Sequence, residues 1–155
     1  MNKLLIRNGV IYDGLGNKPF KGNIYIEDEI IKKVFREGDV GAELEEIEKD
    51  AEVVDAQGMA VTPGVIDIHR HCDIQPFYGT DFGKVMLAQG ITTTVAGNCG
   101  FSMVPVPEDK EKAEEMFAFA EPVVGPAYPG VDTYEEYINA LDKVKLPLNF
   151  ASMLG

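Results

Sequence analysis

The amino-acid sequence predicts a mixed α/β protein, in which a β-rich segment precedes strands that alternate with helices. Short apolar runs with alternating or β-branched residues crowd the first 63 positions, and no long helical pattern separates them. From Val65 onward, such runs alternate with stretches of helical periodicity, an arrangement typical of a parallel sheet. We therefore expect two domains, over residues 1–63 and 64–155.

The composition is that of a folded, acidic protein. Hydrophobic residues make up 45% of the 155 positions and charged residues 26%, values typical of globular domains. The net charge of −12 argues against nucleic acid or an anionic membrane as a partner. No apolar run reaches the roughly 20 residues of a membrane span, and the N-terminal run is too short for a signal peptide. We therefore expect a cytoplasmic protein whose two cysteines are free thiols.

The first segment is predicted to be a small all-β unit. Strands are expected at Leu4–Arg7, Val10–Tyr12, Asn23–Glu27, Ile30–Phe35, 53–54 and 59–61. The dipeptide Asn8-Gly9 is typical of a tight turn and separates the first two strands. Residues 38–52 are acidic and weakly patterned; Leu44 and Ile47 fit one helical turn, but a solvated loop is the favoured interpretation.

The second segment carries three strands, expected at residues 65–68, 91–96 and 148–154. Between the first two, Asp81 is predicted to cap a helix that ends at Gly90. A second helix is expected over Glu108–Ala120, with acidic residues in its first turn. A third helix opens at Thr133 and Glu136, whose spacing is that of a capping box.

The only two histidines, His69 and His71, stand two residues apart behind the first of these strands. In an extended chain residues i and i+2 point to the same side, so the two imidazoles lie next to each other. Two neutral imidazoles suit a divalent metal, although a pair of satisfied polar residues at a strand end gives the same pattern. Asp67 lies on the same side and is placed to accept a ring N–H from a ligating histidine.

Cys99 follows the next strand, in the turn Gly97-Asn98-Cys99-Gly100. The carboxyl ends of adjacent parallel strands meet about 4.8 Å apart, so the thiol and the two imidazoles reach the same ion. A thiolate and two imidazoles suit zinc; the alternative is a small buried hydrophobic residue. A phosphate-binding turn is disfavoured, because the chain has no Walker lysine and no Gly-x-Gly-x-x-Gly motif. Cys72 is predicted to face away from the imidazoles and to be structural.

These motifs resemble those of a known family. Residues 63–71, Pro-Gly-Val-Ile-Asp-Ile-His-Arg-His, resemble the first barrel strand of the amidohydrolase superfamily, in which the two histidines supply metal ligands. Residues 90–102, which contain Asn98-Cys99-Gly100, resemble the second strand of the D-aminoacylases (N-acyl-D-amino-acid deacylases), which use the cysteine of this turn at the metal site. Residues 5–14 are similar to the start of such enzymes, which begin in a small β-sandwich.

The resemblance implies the start of a metal-dependent (β/α)8 barrel over residues 64–155, preceded by part of a β-sandwich over residues 1–63. It implies that His69 and His71 bind one metal, that Cys99 bridges toward a second zinc ion, and that the complete enzyme holds one or two Zn2+. Asp67 and Asn98 are the residues expected to support these ligands. The implied reaction is hydrolysis of the amide bond of an N-acyl-D-amino acid by metal-activated water. A cyclic amidase of the hydantoinase or dihydroorotase type and a non-catalytic metal-binding fragment are the alternatives.

The length does not fit a complete enzyme of this kind, because a (β/α)8 barrel takes about 250 residues. We therefore expect the N-terminal portion of such an enzyme, with its remaining zinc histidines and its catalytic aspartate on later strands. No catalytic residue is expected in this chain, and it is expected to be inactive without the rest of the barrel, supplied in cis or in trans. Arg70 and Cys72 depart from the family pattern, which usually has a small and a polar residue there.

Overall fold

The computed structural model describes residues 2–39, 41–79, 81–126 and 129–154. The chain divides into two compact units, Met1–Pro63 and Gly64–Gly155. Among the described residues, no helix is both long enough and apolar enough to cross a membrane.

The first unit is built on a five-stranded sheet. Its elements are β1 (Lys3–Ile11), β2 (Phe20–Glu27), β3 (Ile30–Arg36), helix α1 (Ala42–Asp50), β4 (Glu52–Asp55) and β5 (Ala60–Val61). β1 is central: it pairs antiparallel with β2 on one side and parallel with β4 and β5 on the other. β3 pairs antiparallel with the far side of β2. The prediction of an all-β unit is therefore wrong, because a helix precedes β4.

That helix, α1, replaces the solvated loop predicted for residues 38–52. Leu44 and Ile47 pack, with Ala51, against the buried cluster Leu5, Tyr25 and Phe35. Basic residues of the sheet pair with acidic residues of the helix: Lys3 with Asp50, Arg7 with Glu48, and Lys33 with Glu43. The segment has few apolar residues of its own. Its helix is stabilised by the sheet that it covers, and the sequence pattern of the segment alone does not show that packing.

The predicted turn at Asn8-Gly9 is also wrong, because β1 continues through both residues. The register between β1 and β2 shifts here, which makes the site a β-bulge. Asn8 adopts a left-handed conformation, with φ of 55°. Its backbone N–H donates to Oδ1 of Asn23 and its Nδ2 to Oδ1 of Asp55, each at 3.0 Å. A Cβ on Gly9 would lie 2.6 Å from Cγ2 of Val61, so glycine lets β5 approach β1.

The second unit has the predicted alternation of strands and helices. Its elements are β6 (Val65–Asp67), α2 (Gln75–Tyr78), α3 (Lys84–Ala88), β7 (Ile91–Ala96), α4 (Lys110–Val124), α5 (Tyr134–Leu141) and β8 (Asn149–Ser152). The strands form a three-stranded sheet in the order β6-β7-β8, and both pairs are parallel. The mixed α/β prediction is confirmed.

Of the three predicted helix starts, only that of α5 has the predicted chemistry, and α4 runs over Lys110–Val124 instead of the predicted Glu108–Ala120. The side chain of Asp109 caps α4 by accepting from the backbone N–H groups of Glu111 and Lys112. Thr133 and Glu136 form the predicted capping box at α5. The helix beginning at Asp81 is not formed: α3 starts after Gly83, and the carboxylate of Asp81 pairs with Lys84 instead.

The core of this unit consists of two clusters. The larger lies around α4 and α5 and contains Ile74, Met103, Val104, Ala120, Val124, Val131, Tyr137 and Leu141. The smaller contains Cys72, Met86, Ile91, Ala96 and Leu148. Cys72 is thus buried among apolar residues, and burial raises the pKa of its thiol to about 11. It is a structural residue, as its position in the sequence predicted.

Candidate metal centre

The segments that follow β6 and β7 bring three potential metal ligands together. His69 and His71 lie just beyond β6, which ends at Asp67, and Cys99 lies in a 3-10 turn that follows β7. One ligand atom from each of the three residues lies within 4.8 Å of the others. Nε2 of His69 is 3.1 Å from Sγ of Cys99. The three residues selected from the sequence therefore form one cluster.

The cluster has the chemistry and approximate spacing that zinc requires. Around a tetrahedral zinc ion, a sulfur and a nitrogen ligand lie about 3.5 Å apart. The contact between His69 and Cys99 is within a few tenths of an ångström of that spacing. Nδ1 of His71 is buried and has no hydrogen-bond partner among the described residues. The two imidazoles and the thiol are the kinds of ligand that zinc prefers, and the cluster is open to solvent at His69 and Cys99.

Cys99 is presented by a strained turn. Gly97, Cys99 and Gly100 all have left-handed backbones, with φ of 74°, 59° and 74°. A non-glycine residue in this region costs of order 1–3 kcal/mol and is most often found at functional sites. A Cβ on Gly97 would lie 2.2 Å from the carbonyl oxygen of Met153, so the turn is pressed against the chain after β8. Glycine at this position therefore allows the turn that directs the thiol toward the histidines.

Asn98 ties the two ligand-bearing segments together. It is buried, and its Nδ2 donates to the carbonyl oxygens of Val95, at 2.8 Å, and Arg70, at 3.4 Å. The backbone N–H of Arg70 donates to the same Val95 oxygen at 3.1 Å. Arg70 stands between the two histidines, so Asn98 fixes the backbone that carries them rather than touching a ring.

Asp67 holds the same segment from the other side. Its carboxylate accepts from the backbone N–H of His69 at 3.2 Å and from Nε of Arg70 at 2.7 Å. The hydrogen bond from Arg70 is the main reason that the pKa of Asp67 lies below its usual value. The predicted hydrogen bond to an imidazole N–H is not among the bonds of Asp67 in the described structure. Arg70, which stands where the family usually has a small residue, is the side-chain partner of Asp67 instead.

Two neighbours of the cluster were not selected from the sequence. The ring of Phe101 packs edge to face against the ring of His71, with centroids 5.2 Å apart. Phe101 belongs to residues 90–102, two positions after Cys99, but its position in the sequence does not predict a contact with His71. Asp73 is buried two residues after His71, and burial raises its pKa above the usual value, against the opposing effect of backbone N–H groups that include that of Gly97. The hydroxyl of Tyr137 donates to the backbone carbonyl of Asp73 at 2.7 Å.

The chain has relatives of known sequence, although no protein-family model matches it. An uncharacterised protein of Mycobacterium bovis is 33% identical over 98% of this chain. An N-acyl-D-glutamate deacylase of Alcaligenes xylosoxydans xylosoxydans is 30% identical, also over 98% of this chain. The chain spans only about a quarter of the length of these relatives, 24% of the first and 28% of the second.

Solved structures agree with the sequence relatives. The N-acyl-D-glutamate deacylase of Bordetella bronchiseptica, crystallised with zinc and a phosphonate inhibitor, matches with a TM-score of 0.75 and 30% identity. That match covers 98% of this chain and 29% of the enzyme. A D-aminoacylase structure matches with a TM-score of 0.70 at 22% identity, which supports the fold alone.

The deacylase relatives, which are 30% identical over 98% of this chain, place it in the amidohydrolase superfamily. Within it, the chain belongs with the D-aminoacylases, the N-acyl-D-amino-acid deacylases, as the Asn98-Cys99-Gly100 turn predicted.

Proposed function

We propose that this chain is part of a zinc-dependent amidohydrolase that hydrolyses the amide bond of N-acyl-D-amino acids. The observation that carries the proposal is the convergence of His69, His71 and Cys99 at the ends of two adjacent parallel strands. The zinc and the N-acyl-D-glutamate deacylase activity named for the Bordetella relative support the choice of metal and of substrate class. A bound zinc ion would polarise the amide carbonyl and lower the pKa of a water molecule.

Each residue of the cluster has a role in this proposal. His69 and His71 offer ring nitrogens, and Cys99 offers a sulfur that ligates as the thiolate. Asn98 and the Asp67–Arg70 pair hold the backbone between the histidines against β7. The proton shuttle and further ligands come from the rest of a (β/α)8 barrel whose first three strands are β6, β7 and β8. Residues 1–63 then belong to a β-sandwich domain of the same enzyme.

The proposal implies that this chain binds metal without catalysing the reaction. In this proposal the two imidazoles and the thiol of the cluster all ligate the metal, and amide hydrolysis also needs a general base that moves a proton. Activity is therefore expected only when a polypeptide with the remaining barrel strands is present in cis or in trans.

Metal binding is tested first, by titrating the purified chain with Co2+ and recording its near-ultraviolet and visible absorption. Thiolate-to-cobalt charge transfer should appear in the parent chain and in Cys72→Ala, the matched thiol control. It should be lost in Cys99→Ala and strongly weakened in His69→Ala and His71→Ala. A spectrum that Cys99→Ala leaves unchanged would overturn the proposed ligand set.

Activity is tested next, in a mixture with a polypeptide that carries the later strands of a relative. Release of the D-amino acid from N-acetyl-D-glutamate or N-acetyl-D-methionine, but not from the L-enantiomers, is the expected result. Preferential hydrolysis of a hydantoin would favour a cyclic amidase. Metal binding without turnover of any substrate in the mixture would favour a non-catalytic metal-binding chain.

A further inference from the structure

The ring of His71 is held by aromatic packing on two sides. The ring of His69 meets it edge to face at a centroid distance of 5.4 Å and an interplanar angle of 82°. The ring of Phe101 meets it at 5.2 Å and 70°. A ligating histidine is usually oriented by a hydrogen bond from its second ring nitrogen to a carboxylate or a carbonyl. Nδ1 of His71 has no hydrogen-bond partner among the described residues, and the contacts with the rings of His69 and Phe101 are the interactions available to orient the imidazole.

Phe101 is itself held by a second ring. Phe119, on α4, stacks on Phe101 with centroids 4.8 Å apart and planes only 8° from parallel.

The two stacked rings differ in exposure. Phe101 is half-buried and packs against the larger core cluster, whereas Phe119 remains 65% exposed. The stack therefore extends from the surface of α4 through Phe101 to His71. Because Phe119 is exposed, its ring can be removed without opening a buried cavity.

We propose that Phe101 positions the His71 imidazole, and that Phe119 holds Phe101 against it. Neither phenylalanine touches a reacting atom; both are positioning residues. Cys99 and Phe101 belong to the same short turn, so one turn supplies the thiol and orients an imidazole from the neighbouring strand. An effect of these two phenylalanines on metal affinity rests on the proposed zinc site. The positioning of the His71 ring rests only on the ring contacts.

The inference is tested with Phe119→Ala and Phe101→Leu in the full chain. Aromatic pairs contribute energies equivalent to roughly two- to tenfold in an equilibrium constant. We therefore expect each substitution to weaken zinc affinity by about that factor, measured by competition with a chromogenic chelator. The matched control is Val123→Ala, which shortens another exposed apolar residue of α4 and should leave the affinity unchanged. Urea unfolding of each metal-free variant checks that Phe119→Ala leaves the fold intact.

A second readout does not depend on zinc. The NMR signals of the His71 ring in the metal-free chain should shift in Phe119→Ala, because Phe101 loses the ring that holds it against the imidazole. In Phe101→Leu the lost ring current shifts these signals whatever the orientation of the imidazole, so Phe119→Ala is the deciding variant. Val123→Ala should leave these signals in place. Unchanged His71 signals in Phe119→Ala would overturn the inference. If the parent chain binds no zinc but the His71 signals shift as expected, the proposed metal site fails while the positioning of the ring stands.

Discussion

Nε2 of His69 lies 3.1 Å from Sγ of Cys99, although the two residues are 30 positions apart in the sequence. They meet because β6 and β7 are adjacent parallel strands, whose carboxyl ends share one edge of the sheet. Neither residue lies within a strand: His69 follows β6 in irregular chain, and Cys99 lies in a left-handed turn after β7. The distance between them is thus set by the backbone on both sides, which yields predictions about residues that are not ligands.

Gly97→Ala should destabilise the protein far more than Gly100→Ala. Both glycines have φ of 74°, so an alanine at either position is strained. At Gly97 the new Cβ would also lie 2.2 Å from the backbone oxygen of Met153, whereas at Gly100 it would meet nothing within 4 Å. We expect a loss in the free energy of unfolding of about 3 kcal/mol for Gly97→Ala and about 1 kcal/mol for Gly100→Ala. Urea unfolding measures both, and equal losses would contradict the packing of this turn against the chain after β8.

Asn98→Ala should weaken the fold and the metal site together. The substitution removes the donor that joins the carbonyls of Val95 and Arg70. The Val95 oxygen keeps the backbone N–H of Arg70, so the expected loss is about 0.5–1.5 kcal/mol for each hydrogen bond of the Asn98 amide. The segment that carries both histidines also loses its tie to β7, so Co2+ affinity should fall. Asn149→Ala is the control, because its amide makes similar bonds at an exposed position and should cost at most about 0.5 kcal/mol. Denaturant and Co2+ titrations that give Asn98→Ala and Asn149→Ala the same values would argue against a tying role.

The juxtaposition of His69, His71 and Cys99 was predictable because it needs only local patterns and the pairing of two consecutive parallel strands. The His-x-His spacing, the position of the thiol after the next strand and the alternation of strands with helices suffice to bring the three to one edge. The backbone role of Asn98 was not predictable, since its acceptors are 28 and 3 residues away and only the folded turn aligns them.

The errors in the prediction share a physical cause, which is that a neighbouring element outweighs the local signal. The helix α1 has few apolar residues, and it forms because Leu44 and Ile47 meet an existing sheet whose basic residues match its acidic side. Asn8-Gly9 favours a turn in isolation, yet the strands on either side of β1 keep this strand continuous, and the dipeptide forms only a bulge. Asp67 was expected to bond an imidazole, but Arg70, three residues later, competes for its carboxylate.

The two cysteines should differ sharply in their reactivity toward iodoacetamide. Cys99 is exposed, whereas Cys72 is only 1% exposed and burial raises the pKa of its thiol to about 11. At neutral pH the native chain should be alkylated at Cys99 and spared at Cys72, and both should react in urea. Zinc should slow the reaction at Cys99, because a ligating thiolate is no longer a free nucleophile. Peptide mass spectrometry assigns the site, and fast labelling of Cys72 or no protection of Cys99 by zinc would contradict the expectation.

The capping box of α5 should make the stability of the second unit depend on pH through Glu136. Oε2 of Glu136 accepts from the backbone N–H groups of Asp132 and Thr133, at 3.0 and 2.9 Å, and from the hydroxyl of Thr133 at 3.0 Å. These hydrogen bonds hold the pKa of Glu136 below its usual value of 4.5, and the bond from the backbone N–H of Thr133 has the largest effect. A depressed folded-state pKa means that the stabilisation is complete above the unfolded-state value and is lost as the pH falls through the folded-state value.

Replacing Glu136 with Gln should therefore destabilise the chain at neutral pH, and the difference from the parent should shrink as the solution is acidified below pH 4.5. Glu135→Gln removes the same charge from the same helical turn. Glu135 makes no side-chain hydrogen bond to the described residues, so its substitution should leave the acid dependence close to that of the parent. Urea unfolding of the three proteins across this pH range gives the comparison. Parallel curves for the parent and Glu136→Gln would mean that the cap holds α5 through its shape and not through the carboxylate charge.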